Sequence, residues 1–341
     1  MARVPATARI LPVVFAGVVL ATAWAAWQPA RLGAADPKFT LPMTPWGDPD
    51  FQGVWNSKTL TPLERADKFG GREFLTDQEA AQLETAAVED RGRDNRAARG
   101  SVADVEGAYN NAFSSFWGTK VVKTKRTSLI VDPPDGKLPE LTPEGQARRE
   151  AARRRFTTEG GPAGIADNPE DRPNDRCPGI TLPCTSPLCA FSRIVQTKGS
   201  AAVYYESGHW GGVTRPIALD GRKHLPPHIR QKFGDAIGRW DGNVLVVDTT
   251  NFNGEMLLNG ARENLHLVER FTREEADLIL YRATADDPSS FTKPWTIEMT
   301  WVRSPENAIF DESACYEGNY AMTSILAGAR VLEKEQKGGR R

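Results

Sequence analysis

Acids, imidazoles and guanidiniums placed at the ends and on the apolar faces of short extended runs are where this sequence could do chemistry. Glu206 and His209 close the run Ala202-Val203-Tyr204-Tyr205, and Arg215 sits on the next one. If those strands are neighbours, a carboxylate, an imidazole and a guanidinium converge at one rim. Such a group suits proton transfer and stabilisation of a developing oxyanion; a rim salt bridge is the structural alternative. Asp248 and Glu269 lie in runs otherwise rich in Val, Leu and Phe. A carboxylate there must be paired, hydrogen-bonded or protonated, and Arg239, Arg270 and Arg282 are the candidate partners. The roles that follow are Glu206 or Asp248 as base or acid, His209 or His224 as proton carrier, and Arg215 as anion stabiliser. Tyr204, Trp210, Trp240, Glu269, Trp295 and Trp301 are the candidate lining of a site for a flat, apolar ligand, with core filling as the competing use of the aromatics.

Other chemistries lack their motifs. The sequence has no GxSxG elbow, HExxH, P-loop, CxxCH or dinucleotide fingerprint. His224 and His228 are the close histidine pair, but Pro226 and Pro227 between them rule against helical i,i+4 ligation. No metal and no cofactor is expected, although carboxylate and carbonyl oxygens are able to hold calcium. Cys177, Cys184, Cys189 and Cys315 lack CxxC spacing and a nearby histidine, so disulfides are expected, with three pairings open. A bridge from Cys315 to the loop holding the other three is favoured. The net charge of −1 does not suggest nucleic-acid binding. The cluster Arg148, Arg149, Arg153, Arg154, Arg155, with Glu144 and Glu150 nearby, reads as a solvated helix.

These residues need elements to position them. Arg3 and Arg9 precede an apolar run from Ile10, and small residues follow to Ala35. These are the parts of a secretory signal peptide over residues 1–35, which places the protein in the periplasm or outside the cell. No second apolar run of membrane length occurs, so no stable span is expected in the mature chain. Residues 36–115 read as an N-terminal arm, with aromatics at Trp46, Phe51 and Trp55, and a helix opened by the capping box at Thr76–Glu79. Thr142-Pro143-Glu144 opens a second helix. Residues 116–325 form the main domain, interrupted by a long Cys-containing loop at 157–190, and 326–341 is a charged tail.

From about residue 190 the pattern becomes one of strands. Lys198-Gly199-Ser200 and Asp241-Gly242 mark hairpins. Val244, Val246, Asp248, Thr250 and Phe252 share one face. Leu265, Leu267, Glu269 and Phe271 oppose His266, Val268 and Arg270, and Trp295, Ile297, Met299 and Trp301 form an aromatic face. Eight to ten short strands in meander order remove their edges by closing into a β-barrel. The fold expected is mainly β, an antiparallel meander closing into a barrel, with the N-terminal arm and two or three peripheral helices.

Three stretches carry a resemblance: Arg126 to Gly136 (RTSLIVDPPDG), Gly238 to Phe252 (GRWDGNVLVVDTTNF) and Cys315 to Asn319 (CYEGN). Together they resemble a secreted family of soil and environmental bacteria over residues 45–325. The resemblance implies secretion, and no catalytic residue is carried over from it. The strand order is similar to lipocalin-like (calycin) barrels, an analogy of fold only. The function expected is binding of an apolar or aromatic small molecule, with a lean toward cofactor-independent acid/base chemistry as a lyase, hydratase, isomerase or hydrolase. The alternatives are a non-catalytic carrier and an envelope interaction protein. The oligomeric state is left open.

Overall fold

Alternation of apolar and polar residues builds ten strands, and nine of them close into a barrel. The computed structural model describes residues 39–89, 124–154, 180–185, 191–206, 212–255, 258–305, 309 and 320–338. The strands are β1 (Gly53–Asn56), β2 (Ile130–Asp132), β3 (Phe191–Thr197), β4 (Ser200–Tyr205), β5 (Val213–Ala218), β6 (Asp235–Asp241), β7 (Val244–Thr250), β8 (His266–Glu275), β9 (Leu278–Asp286) and β10 (Trp295–Arg303). β3 to β10 pair in sequence order, and β1 pairs with both β3 and β10, which closes the cylinder. β2 adds to the side of β10. Three helices complete the fold: α1 (Asp77–Glu89), α2 (Pro143–Arg154) and α3 (Ala321–Gly338). None among the described residues is long and apolar enough to cross a membrane.

Local chemistry explains the elements. Thr76 and Glu79 form the capping box at α1: the Glu79 amide donates to Thr76 Oγ1 and the Thr76 amide to Glu79 Oε2. Thr142 Oγ1 caps α2 by accepting from the Gly145 amide. The β6–β7 loop is Gly242-Asn243 rather than Asp241-Gly242, because Asp241 pairs with Val244. Gly242 supplies φ 59 at the first loop position.

Four expectations are corrected. The sheet is mixed: β5 and β6 run parallel, paired through Ala218 and Ile237. β1 belongs to the barrel wall, although it lies inside the segment read as an arm. Residues 326–341 are not a plain tail, since α3 runs to Gly338. Phe252 leaves the face of Asp248 and joins the core, because Asn251 adopts φ 60 and breaks the alternation.

The described interior is a packed core. Tyr281 stacks on Trp301 with centroids 5.3 Å apart, and Phe271 and Tyr205 meet Trp301 edge-on. One end is plugged by the arm. Phe51 is fully buried there, its amide donating to Gln196 Oε1, while Trp55 Nε1 donates back to the Phe51 carbonyl. At the other end Phe291 packs on Trp295, with Leu258, Ala261 and Leu265 buried beside them. Cys184 is buried and disulfide-bonded; Cys177, Cys189 and Cys315 lie outside the described residues, as do the segments 1–38 and 155–179.

Candidate functional site on the outer wall

A parallel strand pair cannot be joined by a tight turn, so the chain must cross back between β5 and β6. Residues 219–234 make that return over the outer wall. Gly234, at φ 68, lets the chain re-enter the sheet, since a Cβ there would stand 2.5 Å from the Thr250 carbonyl. Asn251 Nδ2 donates to the carbonyls of Leu225 and Pro226, and Arg230 Nη1 donates to the carbonyls of Phe252 and Glu263. The crossover is thereby held against β7, and it carries His224.

His224 lies between two carboxylates. Its Nδ1 donates to Asp235 Oδ2 at 3.1 Å, and its Nε2 bonds Asp248 Oδ1 at 3.0 Å. Asp235 is buried and fixed by both guanidinium nitrogens of Arg222 and by the Leu225 amide. The Arg222 hydrogen bonds, helped by those of Leu225 and His224, hold the Asp235 carboxyl down to about 2. Asp248 Oδ1 also accepts from His266 Nε2 at 3.0 Å. That bond holds Asp248 below the usual carboxylate range and raises the His266 imidazole. The sequence Arg222–Asp235–His224–Asp248–His266 is therefore one connected chain of polar contacts.

Two atoms of this chain are uncommitted. Asp248 Oδ2 and His266 Nδ1 make no hydrogen bond among the described residues. The side chains are 29% and 43% exposed, so both atoms are open to a ligand. A carboxylate oriented through one oxygen, beside an imidazole oriented through one nitrogen, is equipped for paired proton removal and delivery. Both imidazole Nε2 atoms are spent on the same oxygen, and no group of three His, Cys, Asp or Glu among the described residues is arranged to hold a metal ion.

The residues expected at one rim are not brought together. Arg215 points into the barrel and forms a two-pronged pair with Glu269, with Nη1–Oε1 at 3.0 Å and Nη2–Oε2 at 2.5 Å. Thr249 Oγ1 also accepts from Arg215, and Tyr281 Oη donates to Glu269 Oε1 at 2.8 Å. Burial opposes the Arg215 charge, but the field and hydrogen bonds of Glu269, together with the fields of Tyr205 and Tyr281, outweigh it and hold the guanidinium above its ordinary value. Burial raises the Tyr205 and Tyr281 hydroxyls. Asp248, next to Thr249 in sequence, faces outward, so the barrel wall separates it from Arg215. Glu269 thus pairs with Arg215 rather than with Arg239, Arg270 or Arg282.

Glu206 is buried just after β4, its amide bonded to the Phe191 carbonyl. Tyr204 is half-buried on the outward face of β4, with its ring against Gly212. Trp295 and Trp301 are core residues, and Trp240 is half-buried beside Phe51. His209 and Trp210 lie outside the described residues. An open pocket of about 380 Å³ lies at the plugged end, between Phe39, Thr40 and Pro42 and the β8–β9 turn, away from the histidines.

His266, Asp235 and Arg222 are the residues that sequence reasoning missed. His266 had a signal: it alternates with Leu267 and Glu269 and shares the outward face with Val268. The fold and site define a nine-stranded mixed barrel bearing an outer-wall Asp–His chain. No family model, curated protein or solved structure matches the sequence.

Proposed function

We propose that this protein is a cofactor-independent acid/base enzyme acting on a small molecule held against the outer wall of its barrel, where Asp248 and His266 exchange protons with the substrate. The observation that carries this reading is the pair of open atoms, Asp248 Oδ2 and His266 Nδ1, each fixed through its other heteroatom. His224 positions Asp248, and Asp235 with Arg222 positions His224. Core packing of the described interior, with Trp295 and Trp301 buried in it, supports the outer wall as the binding surface.

The shifts set the resting state. Held low, Asp248 is ionised near neutral pH, and its hydrogen bond favours the imidazolium of His266 more than water does a free imidazole. Asp248 Oδ2 takes a proton from a carbon beside a carbonyl, and the C–H electron pair forms a C=C bond. His266 Nδ1 gives its proton to the carbonyl oxygen, producing the enol. Asp248 Oδ2 then returns its proton to a different carbon of the enol while His266 Nδ1 takes the enol proton back, which completes an isomerisation and restores both groups. A carboxylate held low is a mild base, so the substrates are those whose C–H bond is already acidified. The apolar segment after Arg3 and Arg9 supports secretion as the route to an extracytoplasmic substrate.

Profiling of environmental metabolite extracts incubated with wild-type protein, Asp248→Asn and His266→Gln tests the reading. Wild type converts at least one compound, and each variant loses about 10²- to 10⁴-fold in rate while keeping its circular dichroism spectrum. Conversion unchanged in both variants removes the pair from any mechanism. A ligand recovered unaltered throughout makes the barrel a carrier.

A further inference from the structure

Register places a second polar row beside the acid/base pair. Arg239, Val246, Arg270, Arg282 and Glu298 are successive cross-strand partners on β6 to β10. Asp248, Ile237 and Val268 form the next row, about 7 Å away at two residues of strand rise. Three guanidiniums therefore line one side of the wall that carries Asp248.

Their neutralisation is unequal. Arg282 is bound to the buried carboxylate of Glu298, which Arg126 shares. Arg270 reaches Asp241 at 2.9 Å through one nitrogen, and both side chains are exposed. Arg239 is exposed and has no carboxylate, hydrogen bond or ring partner among the described residues. Arg270 and Arg282 stand directly opposite each other, a like-charge pairing that disfavours the sheet unless an anion shares it. Ile237 and Val268, both half-buried, flank Asp248 in its own row, and Val246 lies between Arg239 and Arg270, so the surface from the arginines to Asp248 is apolar.

Resting on the acid/base reading above, we propose that the substrate of this wall is a small organic carboxylate, anchored by Arg239 and Arg270, with its carbon chain lying over Ile237 and Val268 toward Asp248. An Arg–carboxylate contact fixes direction as well as position, because two N–H donors meet two oxygens. The 7 Å row spacing then places the reacting carbon several bonds from the anchoring group.

The test is a titration of full-length protein with hexanoate, 1-hexanol and hexylammonium, read on the His266 ring resonances by NMR. Hexanoate gives a saturable shift and the two other ligands do not. Arg239→Gln weakens hexanoate by about tenfold or more, and Arg239→Lys recovers part of the loss. Equal binding of 1-hexanol, no binding of hexanoate, or an unchanged Arg239→Gln titration overturns the anchor. Repeating the titration in His266→Gln, followed on backbone amides of β6 and β8, separates the two proposals. Retained, Arg239-dependent hexanoate binding there supports the anchor even if Asp248→Asn leaves turnover intact.

Discussion

Asp248 Oδ1 serves two imidazoles at once, and this makes the acid/base state of the wall depend on one atom. The His266 midpoint should lie above its usual value near 6.5 and should fall in Asp248→Asn, as NMR titration of the ring will show. The sign of the stability effect follows from the two shifts. His266 binds its proton more tightly when folded, so its contribution is full below about pH 6.5 and is lost as pH rises through the folded midpoint. Asp248 loses its proton more readily when folded, so its contribution is present above about pH 3.9 and is lost as pH falls through the lowered midpoint. The pair therefore stabilises most between these limits. Its exposure keeps the effect to a few tenths up to about 1 kcal/mol. Urea denaturation of wild type and Asp248→Asn at pH 5.5 and pH 9 should show the difference shrinking at the higher pH.

Among the elements, β5, β7 and β8 send Arg215, Thr249 and Glu269 to a single buried point. A buried ion pair costs desolvation on both sides, and removing one partner leaves the other charge stranded. Glu269→Leu should destabilise by about 3–5 kcal/mol, whereas Arg215→Met with Glu269→Leu should recover most of it. Chemical denaturation of the three proteins checks this, and additive losses would show that the pair is not coupled. Much of this wall was legible beforehand, because a period of two is readable from the chain: Leu267, Glu269 and Phe271 do share the inside, as do Trp295, Ile297, Met299 and Trp301. The period fixes which residues are together but not which side of the sheet they take. That is why Asp248 and Glu269, both read as acids on apolar faces, end on opposite sides. The partner of His224 was not legible at all, since it depends on a crossover whose path is set by the parallel joint of β5 and β6.

For the molecule as a whole, the barrel is held shut by residues far apart in the chain. Phe51 corks one end, and Arg273 and Arg303 flank Trp55 while donating to the carbonyls of Asp50 and Gln52. Phe51→Ala should cost about 3–5 kcal/mol, seen as a lower midpoint in guanidinium with the acid/base wall unchanged by NMR. The seam between β1 and β10 pairs Trp55 with Arg303 and Asn56 with Val302, strands that lie at opposite ends of the barrel sequence. A ribosome must therefore deliver the chain through β10 before the cylinder can be sealed, and until then β1 and the latest strand present open hydrogen-bonding borders. Whatever receives the nascent chain has to shield those borders for as long as synthesis lasts.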